Sequence, residues 1–198
     1  MLSMMRSMAI AVAVAAVAMP AAGQFSDAYN FIKAVKDKDV GTAKKILDKP
    51  GTTIVNIRDR DSDDAALHIV TRRGDAGWLV FLLQAGANAN VRDREGNSPL
   101  LLATQGRFAE GVRILVLVKA QFDLANRLGE TPLLKAVQNR DPVIAKMLID
   151  AGANPDLTDN TGTTARSFAQ GDARSGAVAR LLKDVPVRTA KKLQGPSI

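Results

Sequence analysis

The chain contains no cysteine and a single histidine, His68. Without thiols it can build neither a disulfide framework nor a thiolate metal site. One imidazole alone does not assemble the usual zinc cluster or a histidine-centred acid–base site. Aromatic residues are scarce, at 4% with one Trp and one Tyr, although 46% of the chain is hydrophobic. A core built mainly from Ala, Leu and Val favours close contacts between helices over a few large anchors. There is no Gly-rich phosphate loop, nucleophile elbow or paired metal-ligand motif. No catalytic residue, cofactor or metal ion is therefore expected. The lack of cysteine is compatible with an oxidising compartment.

Two features are present in their place. The first is an N-terminal segment with Arg6, an apolar run from Met8 to Met19, and Pro20-Ala21-Ala22-Gly23. Positive charge, short apolar core and small residues form a three-part secretory signal. Cleavage is expected before Gln24, with the bond after Ala22 as the other candidate, so residues 1–23 read as a leader. An uncleaved anchor is the alternative, but a spanning helix needs roughly 20 apolar residues and Pro20 interrupts the run. No later stretch is apolar enough to span a bilayer. The chain carries 27 Lys and Arg against 20 Asp and Glu, a net +7. Loss of Arg6, the one charge before Gln24, leaves +6.

The second feature is a period of 33 residues. Asp93, Asn126 and Asp159 fall in register, as do Gly96, Gly129 and Gly162. So do Ser98, Thr131 and Thr164, then Ala103, Ala136 and Ala169, and Ala87, Ala120 and Ala153. The unit is plainest in Gly129-Glu130-Thr131-Pro132-Leu133-Leu134-Lys135-Ala136 and in Asp150-Ala151-Gly152-Ala153-Asn154. Ser98 and Thr131 can accept amide hydrogens at a helix start. Pro99 and Pro132 follow at the first helical position, where a missing N–H costs nothing. Phe81-Leu82, Ile114-Leu115 and Met147-Leu148 supply the apolar pair of a second helix, which Gly86 and Gly152 then end.

These motifs resemble the ankyrin repeat. The resemblance implies an all-α solenoid of helix-turn-helix units linked by hairpin-like loops, its repeats stacked into one core. It covers nearly all of residues 24–185, in five units at about 26–57, 58–92, 93–125, 126–158 and 159–185. The first unit is the least typical and reads as the N-terminal cap. Ala65-Ala66 replaces Thr-Pro in the second, where Asp63 or Asp64 is expected to cap the helix. Lys119 replaces a helix-ending glycine, at about 1 kcal/mol if the backbone stays left-handed. Arg166 replaces a core leucine, which reads as a polar, solvent-facing cap. Residues 186–198 show no repeat pattern and read as a basic flexible tail.

His68 stands at the family's structural histidine. The acidic run Asp59-Arg60-Asp61-Ser62-Asp63-Asp64 lacks the glycine and closing glutamate of a calcium loop and reads as a solvated turn. Trp78 falls in a second helix, where packing is expected.

In the ankyrin family partners lie against the concave face of loop tips and first helices. Carried over by position, the tips here are Arg92, Arg94, Glu95 and Asn97, then Arg127, Leu128 and Glu130, then Asn160, Thr161 and Thr163. First helices add Asp37, Lys38, Arg72, Arg73, Gln105, Gln138 and Asn139. Five arginines, 72, 73, 92, 94 and 127, fall on that face, and guanidinium forks match carboxylates or phosphates. One reading is a protein partner with an acidic patch; the other is ordinary solubilising charge beside Glu95 and Glu130. The resemblance thus implies a monomeric, non-catalytic scaffold that binds another protein, and the brevity and Ala-rich core of the leader add the expectation of export to a bacterial periplasm. Exported ankyrin proteins of bacteria are in some cases associated with oxidative-stress defence. A secreted effector binding host proteins, or a binder of anionic envelope surface, are the alternatives. Nucleic acid is not expected, since export removes it and stacking aromatics are lacking.

Overall fold

The computed structural model describes the backbone of residues 21–188 and the side chains from Asp27 to Arg188. Most of the expected leader and the tail from residue 189 lie outside the described residues. Among the described residues, ten α-helices follow one another in five pairs. They are α1 (Ala21–Asp37) with α2 (Val40–Leu47), α3 (Ala66–Arg72) with α4 (Ala76–Gln84), and α5 (Pro99–Gln105) with α6 (Ala109–Leu117). The last are α7 (Pro132–Gln138) with α8 (Pro142–Asp150), and α9 (Ala165–Gly171) with α10 (Gly176–Lys183). The first helices α1, α3, α5, α7 and α9 touch in succession, and α4, α6, α8 and α10 form a second layer. Short 3-10 turns lie at Ile54–Asn56 and Ala173–Ser175. The described residues form no strand beyond two isolated bridges, Arg58 with Ala65 and Thr158 with Thr164. No helix among them is long and apolar enough to cross a membrane.

Local chemistry sets these boundaries. The Ser98 hydroxyl accepts the Leu101 N–H and that of Thr131 the Leu134 N–H, each at 3.2 Å, with proline opening the helix. Asp75 and Asp141 do the same for α4 and α8. Helices of seven residues are too short to persist alone in water. Burial of Leu67, Leu79, Leu100, Leu115, Leu133 and Leu148 between neighbouring pairs holds them. Gly86 and Gly152 carry φ of +86° and +97°, and Lys119 keeps the same left-handed backbone at +58°.

Two expectations are corrected. Neither Asp63 nor Asp64 caps α3; Ala65 is the N-cap residue and has no side-chain oxygen to offer. His68 reaches back instead. Its Nδ1 accepts the Ala65 N–H at 3.0 Å, and its Nε2 lies 3.1 Å from the Val91 carbonyl. Burial pushes the imidazole pKa down, so the ring is neutral with its proton on Nε2. One fully buried side chain thereby caps a helix and ties it to the next loop.

Arg166 does not face solvent as a polar cap would. Its side chain is 16% exposed and grips Asp156 through Nε (2.6 Å) and a terminal nitrogen (3.1 Å). It also donates to the carbonyls of Leu182 and Val185. A guanidinium satisfied this fully can replace a buried leucine. It anchors the end of α10. Beyond it, the Arg188 N–H donates to Asp156 at 2.9 Å and its guanidinium to the Gly152 carbonyl at 3.0 Å. The start of the tail is therefore held against the last units.

Candidate functional site

Before α3, α5, α7 and α9 the chain throws out a short loop, or finger. One acidic or amide side chain folds each of them. The Oδ1 of Asp93 accepts the N–H of Glu95 and Asn97, that of Asn126 the N–H of Leu128 and Glu130, and that of Asp159 the N–H of Thr161 and Thr163. Asp59 serves the first finger by accepting from Asp61 and Ser62. This explains the 93–126–159 register. A salt bridge from Lys36 holds the Asp59 carboxyl at about 2, well below its ordinary range, against the opposing effect of burial. Asp93 is also held low: burial works against this, but the Asn97 bonds and Arg72 outweigh it. The acidic run is a turn folded by Asp59, with Arg60, Asp61 and Ser62 exposed at its tip as a solvated turn requires. Among the described residues, no group of three or more His, Cys, Asp or Glu side chains could hold a metal ion.

The fingers stack. The Arg127 N–H donates to the Glu95 carbonyl and the Asn160 N–H to the Leu128 carbonyl, both at 3.0 Å. Asn126 Nδ2 reaches Asn97 at 3.1 Å. Two rungs run alongside, from the Arg58 guanidinium to the Arg92 carbonyl (2.6 Å) and from the Arg92 guanidinium to the Ala125 carbonyl (2.9 Å).

Against this geometry the expected contact residues divide in two. Arg72 is bound to Asp93 (2.6 Å) and Asp64 (3.3 Å). Arg73 donates to the Val35 carbonyl (2.8 Å), pairs with Asp75 (3.1 Å) and lies over Trp78. Trp78 is itself buried and packs edge-on against Phe81. Arg92 spans to the following unit, Asn97 is buried, Glu130 binds Lys135 and Asn126, and Asn139 donates to the Thr104 carbonyl. These six side chains are bonded or packed within the array, although Arg72 and Arg92 remain exposed to solvent.

The other group points outward. Arg94, Glu95, Arg127 and Leu128 are exposed at neighbouring finger tips, with Leu128 at 61%. Gln105 is exposed and Gln138 half-buried at the ends of α5 and α7. One feature of this side left little trace in the sequence. A cleft of about 640 Å³ opens between α1 and the first finger, lined by Tyr29, Ile32, Lys36, Ile57 and Arg60 among others. Tyr29, the chain's one tyrosine, stands 68% exposed at its edge. The signal available in the sequence was an aromatic on the first helix of a unit that has no finger of its own.

Comparison with known families finds the same repeating unit: residues 67–159 match the model of ankyrin repeats, in three copies.

Proposed function

The chain belongs to the ankyrin-repeat family, and we propose that it is a non-catalytic scaffold, exported to the periplasm, that binds another protein across its finger tips and first helices. Ankyrin repeats are in general protein–protein interaction modules. The observation that carries the reading further is the division of the polar side chains. Arg72, Arg73, Arg92, Asn97, Glu130 and Asn139 are occupied within the array, whereas Arg94, Glu95, Arg127 and Leu128 stand together and exposed. Two guanidinium forks beside an exposed leucine suit a partner that offers carboxylates around an apolar side chain. Gln105 and Gln138 lie at the ends of the first helices α5 and α7, and Tyr29 stands at a separate cleft beside the first finger. The leader accounts for delivery to the periplasm.

The test is affinity capture from a periplasmic extract with residues 24–198, run beside the Arg94→Glu/Arg127→Glu/Leu128→Ser variant. A partner retained by the parent chain and lost, by roughly tenfold or more, from the variant supports the reading. Equal retention by both would remove the finger tips from it.

A further inference from the structure

The outward faces of the second helices are not alike. In α2 and α8 they carry ion pairs one turn apart, Lys44 with Asp48 and Lys146 with Asp150. At the same registers α4 has Val80 and Gln84, and α6 has Arg113 and Leu117, so neither repeats the pair. Val80, Leu117, Val118 and Val143 are exposed there, Leu117 at 68%. A groove of about 580 Å³ runs along this break, between Ala76, Gly77 and Val80 on the α4 side and Ile114, Leu117 and Val118 on the α6 side.

The two ends of the groove differ. At its start stands Gly77, where a Cβ would be in ordinary contact with Asp75 Oδ1 at 3.7 Å and with no other side chain among the described residues. Glycine weakens a helix relative to alanine, and no contact within the described array requires one here. Gly77 thus leaves a hollow. At the other end Leu117 stands out as a knob. Charge is laid out in the same way: Glu110 lies at the register of Gly77, and Lys119 follows Leu117. Knob and hollow, cation and anion, lie on one face at opposite ends, which is the arrangement a two-fold axis pairs.

We propose that a second copy of the chain docks on this face, with the two α6 helices antiparallel about a two-fold axis. Each Leu117 enters the partner's Gly77 hollow, and each Lys119 lies beside the partner's Glu110. Charge favours an identical surface here. Chains carrying a net +7 repel one another and meet at least cost where charge is paired off locally. On this face Glu110 is bound to Arg113 and Lys146 to Asp150, and Lys119 gains the opposite sign across the axis. The family resemblance implies a monomer; this face argues for a pair. The pairing uses the second-helix layer and is independent of the finger-side reading.

Sedimentation equilibrium of residues 24–198 is expected to show monomers and dimers exchanging with a Kd on the order of 10 μM, as suits a modest interface. Leu117→Glu, which sets a carboxylate against the partner's Glu110, should weaken association about tenfold or more. Gly77→Gln, which fills the hollow, should weaken it by a similar factor yet raise the unfolding midpoint of the dilute chain, because glutamine favours a helix over glycine. A glycine needed only by the fold would give the opposite change in midpoint. The Arg94→Glu/Arg127→Glu/Leu128→Ser variant should dimerise as the parent does, which keeps this test apart from that of the finger tips. A parent still monomeric at about 0.5 mM, or a dimer that survives both Leu117→Glu and Gly77→Gln, would overturn the proposal. If that monomeric parent loses its captured protein on Leu117→Glu, the groove belongs to that protein instead.

Discussion

Lys119 keeps φ at +58° at the position where Gly86 and Gly152 end the neighbouring second helices. A side chain in that region costs on the order of 1 kcal/mol relative to glycine. Lys119→Gly should therefore raise stability by up to about 1 kcal/mol, or roughly 2–4 °C in midpoint for a chain of this size; calorimetry checks it. Asp123 makes the opposite kind of case. It takes the place of Asn56 and Asn90, which accept an N–H from the following unit, with a carboxylate whose pKa burial pushes up, against the Asn154 N–H and Arg188. A carboxyl with a folded pKa above its unfolded value costs stability while ionised, and that cost disappears as pH falls through the folded pKa. Asp123→Asn keeps the acceptor for Asn154 and removes the buried charge. The variant should be more stable than the parent at pH 7 and converge with it on acidification. A midpoint difference that is constant from pH 7 to pH 3 would contradict this.

Among the elements, the close stacking of fingers is the constraint that most limits substitution. Gly129 has φ +79°, and any Cβ there would meet backbone of the following finger. Gly129→Ala should destabilise by roughly 2 kcal/mol or more, combining left-handed strain with a contact that cannot relax by rotating a side chain. Gly162→Ala has the strain and, among the described residues, no such contact, so it should cost clearly less; chemical denaturation of the two side by side checks the difference. The helix starts at Ser98-Pro99 and Thr131-Pro132 could be read from sequence because cap and helix are adjacent in the chain. The start of α3 could not. Its cap is a histidine bond whose second half lies at Val91 in the following loop. Arg166 was legible as a departure from the core leucine but not as an anchor, since its partners include Leu182 and Val185 far along the chain.

At the scale of the whole molecule, stability is spread over contacts between neighbouring pairs, since no pair buries its own apolar face. A period of 33 made this architecture readable from one sequence, and the all-α ankyrin solenoid follows from it. The candidate surface was less legible for a physical reason. Periodicity tells which side of the array a residue occupies, but not whether another side chain has already taken its charge. Arg72 and Arg94 look alike in sequence and both are exposed, but the Arg72 guanidinium is already bound by Asp93 of the next unit. A rival surface exists on the second-helix side, where Val80, Leu117, Val118 and Val143 are exposed. Hydrogen–deuterium exchange of the chain, alone and with its captured partner, separates the two most directly. Binding at the finger side predicts slowed exchange at residues 94–96 and 127–129 and along α1 near Tyr29. Protection confined to α4, α6 and α8 would contradict it.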